Sequence, residues 1–286
     1  MLPEQLTQGQ FDTVYNSLSL VIASQLFTAL FLAAATGRVL PRYRQALLTG
    51  AIVCGIAAYH YFRIFDSFRE AYVTSAPGGA GVYTMAVGKS FNEGYRYVDW
   101  LLTVPLLLVE LVAVLALAKT VQSSLLKRLI PASALMIVLG YPGEISGDTG
   151  IRVLFGGLST IPFLYILYVL FVELSRSLDR QIPAVRTYVN RLRLLLFATW
   201  GVYPIAYLIP TIGIGGADAW VGKQIGYSLA DILAKALYGL FIYQVARLKS
   251  ADDDPSWAIQ EAGVDEAEVT GRGPTTEGSP RATAQA

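Results

Sequence analysis

The sequence has little charge, one cysteine and one histidine, and each scarcity excludes a class of protein. Charged residues make up 15% of the 286 residues, whereas soluble domains carry about 25%. Cys54 has no partner for a disulfide within the chain, and with His60 as the sole histidine no metal site is expected. The net charge of +1 and the lack of nucleotide-binding or nucleophile-triad motifs indicate neither a nucleic-acid partner nor a conventional enzyme. The hydrophobic share of 54% instead indicates a membrane protein.

Apolar runs long enough to cross a bilayer, which takes about 20 residues, occur seven times. They cover residues 13–36, 43–66, 94–118, 127–145, 153–174, 190–212 and 222–247. Turn-rich segments such as APGGAG (76–81) and GIGGAD (213–218) separate some of them. The pattern predicts an all-α fold, a seven-transmembrane-helix bundle within residues 1–249. Residues 250–286 are acidic and rich in Pro and Gly, so we expect them to form a disordered tail.

The distribution of Lys and Arg predicts the orientation of the bundle. The first, third and fifth loops and the adjoining span ends hold most of these residues: Arg38, Arg42, Arg44, Lys119, Lys127, Arg128, Arg176, Arg180, Arg186, Arg191 and Arg193. Because short loops rich in Lys and Arg stay in the cytoplasm, the N-terminus is expected outside and the C-terminus in the cytoplasm.

The third span contains GYRYVDWLLTVPLLLVE (94–110), an apolar run interrupted by Arg96, Asp99 and Glu110. Each ionisable group at the centre of a bilayer costs about 2.5–3.5 kcal/mol in free energy of insertion. The presence of three such groups in one span therefore requires an explanation. At about 100° per residue, Asp99, Thr103 and Glu110 share one helix face, and the two carboxyls are about 16 Å apart along the axis. In the predicted orientation Asp99 lies in the outer half of the membrane and Glu110 in the inner half.

The seventh span contains SLADILAKALYGLFIY (228–243), which places Asp231 and Lys235 on one face, with Lys235 far from either interface. A lysine there should be paired, neutral or chemically modified, for instance as a Schiff base with a carbonyl ligand. Taken alone, Asp231 and Lys235 could be an ion pair that fixes helix packing. Likewise, Glu110 could be interfacial, and Thr103 could make a helix-to-helix hydrogen bond. The joint arrangement favours a functional site.

Three motifs resemble a known family. RYVDWLLTVPLLLVE (96–110) resembles the third helix of microbial rhodopsins, DILAK (231–235) the retinal-binding segment of their seventh, and WGVYPIAY (200–207) the aromatic set of their sixth. The resemblance spans residues 8–248 and is closest to light-driven outward proton pumps of the proteorhodopsin and xanthorhodopsin-like branches. It implies a multi-pass protein of a bacterial-type inner (plasma) membrane that transports protons as a homo-oligomer, a pentamer or a trimer.

The resemblance also implies a role for each ionisable residue of the spans. Lys235 would carry all-trans retinal as a protonated Schiff base, with Asp99 as counterion and proton acceptor and Asp231 as second counterion. Glu110 would be the cytoplasmic proton donor, and Arg96 and Thr103 would support the pathway. The family's sodium pumps carry Asn, Asp and Gln at the three motif positions, and its inward chloride pumps lack the acceptor carboxylate. The chain fits neither, so export of H⁺ is expected.

Other residues match the family's retinal surroundings. His60, in AAYHYFRIF, matches the proteorhodopsin histidine that hydrogen-bonds the acceptor aspartate, and we hypothesise that it shares charge or a proton with Asp99 and sets the pH at which pumping begins. The alternative is a satisfied polar residue of the bundle. The residues expected to line the polyene are Trp100, Leu107, Trp200, Tyr203, Pro204 and Tyr207. In proteorhodopsins an apolar residue at the position of Leu107 accompanies the absorption of green light, so the resemblance implies that this protein absorbs green light.

Gly156, in RVLFGGLSTIPF, matches the xanthorhodopsin-like glycine that opens the retinal ring to the lipid side, where a carotenoid antenna can bind. Lipid could fill the same opening, and glycine in membrane helices usually serves close packing. The last loop lacks the pair of glutamates of bacteriorhodopsin, with Lys223 where one would align, so a release complex of that type is not expected.

Two other functions compete with the pump. A retinal-based photosensory receptor would typically lack the carboxyl donor, so Glu110 argues against it. A seven-helix receptor or transporter without retinal would not explain why Lys235 accompanies Asp99 and Asp231.

Overall fold

Seven long helices make up most of the computed structural model, which describes residues 2–74, 81–209, 213 and 215–262. They are α1 (Gln8–Ala34), α2 (Pro41–Ala71), α3 (Gly94–Leu115), α4 (Lys119–Ile145), α5 (Thr149–Leu178), α6 (Pro183–Leu208) and α7 (Gly216–Asp253). Six of them, all but the arginine-rich α6, are apolar and long enough to cross a membrane. The predicted all-α, seven-helix bundle is confirmed.

Helix α3 lies at the centre of the bundle, and α4 and α5 lie at its edge. Of the apolar stretch of α3, 67% is buried inside the protein, against 17% for α4 and 22% for α5. The exposed side chains of α5 are large and apolar, such as Leu154, Ile161 and Leu164, and suit contact with lipid. The polar residues of α3 therefore face protein on all sides.

Two helices contain a π-helical turn. In α5 it covers Val169–Glu173, and in α7 it covers Ile232–Leu237, which includes Lys235. A π turn shifts the hydrogen-bonding pattern from i−4 to i−5 and is often found at functional sites. In α7, Gln25 of α1 donates its Nε2–H to the backbone oxygen of Asp231 at 2.9 Å and so satisfies a carbonyl beside the turn.

Several helix boundaries differ from the sequence expectation. Helix α1 begins at Gln8 rather than residue 13 because the Thr7 side chain and Gln10 form a reciprocal capping box. Helix α7 continues to Asp253, and a short helix α8 (Pro255–Ala262) follows, which the Asp254 carboxylate caps by accepting from the backbone of Ser256 and Trp257. Residues 250–253 and 255–262 are thus helical where we expected a disordered tail, and residues 263–286 lie outside the described residues.

A small sheet at one end of the bundle was not expected from the sequence. Its three antiparallel strands, in the order β1-β3-β2, are β1 (Gln5–Thr7), β2 (Tyr72–Thr74) and β3 (Val82–Met85). It joins the N-terminus to the connection between α2 and α3. Leu6 of β1 is buried, and the Phe11 ring stacks on Tyr83 of β3 with centroids 3.8 Å apart. The predicted turn APGGAG lies almost entirely outside the described residues.

Candidate functional site

Lys235 lies between two carboxylates at the centre of the bundle. Its Nζ donates to Asp231 Oδ1 at 2.6 Å and to Asp99 Oδ2 at 2.8 Å. Both aspartates are fully buried, and Lys235 is 2% exposed. Removing one member of such a buried ionic cluster leaves an uncompensated charge. The three side chains therefore depend on one another for their stability in the bundle.

The Asp231 carboxylate is surrounded by hydrogen-bond donors from three other helices. Tyr61 of α2 donates its hydroxyl at 2.5 Å, Tyr203 of α6 donates at 2.6 Å, and the indole N–H of Trp100 on α3 donates at 3.2 Å. Together with Lys235, these donors stabilise the negative charge of Asp231. Tyr61 was missed in the sequence because no family motif or charge spacing singles it out.

Asp99 has a much poorer set of partners. Its Oδ2 accepts from Lys235, but Oδ1 is buried and has no hydrogen-bond partner in the described part of the chain. Thr103 donates its hydroxyl to the Asp99 backbone oxygen at 2.8 Å rather than to the carboxylate. His60 Nδ1 lies 3.9 Å from Asp99 Oδ1, beyond hydrogen-bond distance, and 3.0 Å from the Ile56 backbone oxygen. The two carboxylates beside Lys235 are therefore unequal.

Glu110 lies deeper along the same helix in an apolar environment. It is fully buried, and neither carboxyl oxygen has a hydrogen-bond partner among the described residues. The carboxyl lies beside Gly50 of α2, where an added Cβ atom would be 2.4 Å from Glu110 Oε1 and 3.0 Å from Leu32 Cδ1 of α1. A carboxyl with no compensating charge or donor is far less costly to bury when it holds its proton.

A chain of polar side chains leads from the central site toward the end that carries the sheet. Arg96 donates to Gln224 Oε1 at 2.6 Å, and Gln224 donates to Glu93 Oε1 at 3.1 Å. Lys223 Nζ lies 2.9 Å from Glu93 and 3.1 Å from Glu144. Burial raises the pKa of Glu93, but the Lys223 ammonium, the Arg96 guanidinium and the hydrogen bond from Gln224 together outweigh this effect, and the pKa lies below its usual range.

This polar chain adds to what the sequence predicted for this end of the molecule. The last loop indeed supplies no glutamate pair, but two glutamates from elsewhere, one before α3 and one near the end of α4, meet at Lys223. No spacing rule relates positions 93, 144 and 223, so this cluster could not be found in the sequence.

A cavity runs from Lys235 between α3, α4, α5 and α6. Its empty space is about 840 Å³, part of which is open to the surroundings. All six residues predicted to line a polyene line it, namely Trp100, Leu107, Trp200, Tyr203, Pro204 and Tyr207. Gly156 also borders it, and a Cβ atom there would lie 2.8 Å from Tyr207 Cε1, so this glycine leaves room for the Tyr207 ring. Further lining residues that the sequence did not indicate include Tyr97, Met136, Phe163 and Tyr227.

Comparisons with known proteins agree with this arrangement. The family of bacteriorhodopsin-like proteins matches residues 13–248. The green-light absorbing proteorhodopsin of Gamma-proteobacterium EBAC31A08 is 30% identical over 239 residues, which cover 82% of this chain and 87% of that protein. Thermophilic rhodopsin, which has a crystal structure, is 47% identical in sequence to this chain. Its fold matches the fold of this chain with a TM-score of 0.84, and the match covers 88% of this chain and 99% of that one.

Xanthorhodopsin, described as a light-driven ion pump with dual chromophore, is 45% identical with a TM-score of 0.82. The match covers 92% of this chain and 100% of that one. The family match and these relatives together take in the whole of α2 to α6 and nearly all of α1 and α7. The chain therefore belongs to the bacteriorhodopsin-like family and is a microbial rhodopsin, a multi-pass protein of the plasma membrane.

Proposed function

We propose that this microbial rhodopsin is a light-driven outward proton pump that carries all-trans retinal on Lys235. The observation that carries the proposal is the unequal environment of the two carboxylates beside Lys235. Three side-chain donors besides the lysine hold Asp231, whereas Asp99 Oδ1 lacks a hydrogen-bond partner in the described ranges. Asp99 is the carboxylate that can take up a proton without losing such bonds.

The shape of the cavity supports retinal as the group that Lys235 holds. The cavity is lined mainly by aromatic and aliphatic side chains and reaches the buried Nζ of Lys235, so a long apolar aldehyde fits with its reactive end at the amine. Retinal held there by Lys235 as a protonated Schiff base would supply light absorption and an isomerisation that changes the surroundings of the lysine nitrogen. Trp100 and Trp200 line the cavity and restrict how the bound group can move.

In the proposed cycle the protein's own residues move the proton in one direction. In the dark, Asp99 and Asp231 stabilise a positive charge on the Lys235 nitrogen. When that pairing weakens in the light, Asp99 accepts the proton, while Asp231 stays ionised in its set of donors. Glu110, whose buried carboxyl has no hydrogen-bond partner in the described ranges, then returns a proton to the nitrogen from the opposite side.

The positive-inside pattern supports export rather than import. In that orientation α3 enters from outside, so the acceptor Asp99 is nearer the exterior and the donor Glu110 nearer the cytoplasm. Arg96, Gln224 and Glu93, joined by hydrogen bonds, lie on the acceptor side, and we propose that the released proton leaves toward this end of the bundle.

External pH under illumination tests the proposal in cells that express the protein with added retinal. Acidification that a protonophore abolishes is the expected result. Alkalinisation that the protonophore enhances would contradict proton export and indicate transport of another ion. A coloured protein that causes no pH change would instead favour a photosensory receptor, the second candidate function.

Variants of the two carboxyls separate acceptor from donor. Asp99→Asn is expected to abolish pumping and shift the colour. Glu110→Gln should slow the return of the proton to Lys235 by about 100-fold, the usual contribution of a positioned acid or base, without preventing the first transfer. Flash absorption spectroscopy measures both steps, with Glu70→Gln as a control because Glu70 is an exposed carboxyl. Normal kinetics in Glu110→Gln would refute the donor role.

We also propose that the opening beside Gly156 admits a carotenoid antenna. Gly156 borders the cavity on the α5 side, and xanthorhodopsin, a pump with dual chromophore, is 45% identical to this chain. The action spectrum of pumping should gain carotenoid bands when a carotenoid is supplied, and Gly156→Trp should remove them. An action spectrum that follows retinal absorption alone would indicate that lipid occupies the opening.

A further inference from the structure

The carboxyl of Glu110 occupies a space that exists because residue 50 is a glycine. A Cβ atom built on Gly50 would lie 2.4 Å from Glu110 Oε1 and 3.0 Å from its Cδ. Leu32 Cδ1 bounds the same space at 3.0 Å from that point. No ordinary side chain can therefore occupy position 50 while the Glu110 carboxyl stays where it is.

Other glycines of the bundle differ from Gly50 in what they face. Gly55, on the same helix, has nothing within 4 Å of the position its Cβ would take. Gly239 of α7 borders the same space, but its Cβ would meet Leu32 Cδ1 at 2.8 Å and lie 3.9 Å from Glu110 Oε1. The usual role of glycine, close approach of helix backbones, does not describe Gly50, because its nearest atoms belong to a side-chain carboxyl.

We propose that Gly50 is a positioning residue for the proton donor: the absence of a side chain at position 50 fixes where the Glu110 carboxyl lies. The inference rests on the proposed function, in which Glu110 returns a proton to Lys235. Neither oxygen of Glu110 has a hydrogen-bond partner in the described part of the chain, so the shape of the space around the carboxyl determines its position.

A methyl group at position 50 would displace the carboxyl rather than unfold the bundle. Moving Oε1 from 2.4 Å to an ordinary contact of 3.4 Å requires a shift of about 1 Å, which the end of a flexible side chain can make. A misplacement of about 1 Å can slow a reaction by up to about 100-fold. We therefore expect Gly50→Ala to slow the return of the proton to the Lys235 nitrogen by about 10-fold or more.

The experiment compares Gly50→Ala with Gly55→Ala and Gly239→Ala in the full-length protein with retinal. Flash absorption spectroscopy gives the rate of proton return. Infrared difference spectroscopy gives the carboxyl stretching band of Glu110, identified by its loss in Glu110→Gln. Gly50→Ala should slow the return and shift the band, and Gly55→Ala should change neither. Gly239→Ala, whose added methyl would meet Leu32 and not the carboxyl, should shift the band less than Gly50→Ala.

A compensating substitution separates displacement of the carboxyl from general damage. Glu110→Asp is one methylene shorter and withdraws the carboxyl by about 1.5 Å, one carbon–carbon bond. In that background Gly50→Ala should change the rate by less than about 2-fold, because the two sites are coupled. An equally large effect in both backgrounds would overturn the inference.

The outcomes also distinguish this inference from the proposed function. If Glu110→Gln leaves proton return unchanged, the donor assignment itself is wrong. If Glu110→Gln slows the return but Gly50→Ala has the rate and infrared band of Gly55→Ala, the donor assignment stands and the positioning role of Gly50 is refuted.

Discussion

Replacing Lys223 with methionine should destabilise the bundle at the end that carries the sheet. Lys223 is 11% exposed in its side chain and contacts Glu93 at 2.9 Å and Glu144 at 3.1 Å. Without the lysine, two carboxylates remain together, and breaking a buried pair costs about 3–5 kcal/mol. Because a quarter of the Glu93 side chain is exposed and screened by water, we expect about 2–3 kcal/mol.

The assay is thermal unfolding of the purified protein in detergent, followed by circular dichroism. At about 2–4 °C per kcal/mol, Lys223→Met should lower the melting midpoint by about 4–12 °C. Lys89→Met is the matched control, since Lys89 pairs with Glu70 at 3.1 Å with both side chains more than half exposed. Such exposed pairs contribute at most about 1 kcal/mol. Equal shifts in the two variants would refute the reasoning.

The stabilities of the wild type and of Lys223→Met should respond differently to acid. The pKa of Glu93 lies below its usual range in the folded protein because Lys223, together with Arg96 and Gln224, outweighs the effect of burial. A carboxyl of this kind stabilises the fold above its unfolded-state pKa of about 4.3 and loses that contribution as the pH falls through the folded-state pKa. The midpoints of wild type and Lys223→Met should therefore converge below about pH 4. A constant difference from neutral to acidic pH would contradict this.

Two further substitutions test contacts around the central site. Gln25→Leu removes the 2.9 Å hydrogen bond to the Asp231 backbone oxygen and should cost about 1–3 kcal/mol, measured by thermal unfolding, because the carbonyl stays buried; an unchanged midpoint would contradict this. His60→Asn should move the pH midpoint of the retinal-bound protein's colour change, because the His60 ring lies 3.9 Å from Asp99 Oδ1. An unmoved transition would count against a role for His60.

Helical spacing predicted that Asp231 and Lys235 share one face, because this depends on local geometry alone, whereas the approach of Asp99 from α3 was implied only by the family resemblance. Asp231 and Lys235 are four residues apart, and the structure joins them at 2.6 Å, with Asp99 2.8 Å from the same nitrogen. The seven spans could be found for a similar reason, since each apolar run is long enough to cross a bilayer. The roles of these residues in proton transfer remain predictions.

Features that depend on packing between distant segments could not be predicted. The strands Gln5–Thr7 and Val82–Met85 are too short to carry an alternating pattern, and the whole of α1 and α2 separates them in the sequence. The hydrogen bond from Tyr61 to Asp231 depends on how α2 faces α7. The turn Ile232–Leu237 is π-helical although its composition suits an ordinary helix.

The spacing of Asp99 and Glu110 along α3 also has an electrical consequence. Eleven residues of helix correspond to about 16 Å, roughly half of a hydrocarbon core about 30 Å thick. Moving one elementary charge through the whole core costs about 2.3 kcal/mol per 100 mV, so half of it costs about 1.2 kcal/mol per 100 mV. The first transfer, between atoms 2.8 Å apart, moves charge over a small fraction of that distance. In the proposed cycle the membrane potential therefore acts mainly on the return of the proton from Glu110, and this is the step that an energised membrane slows.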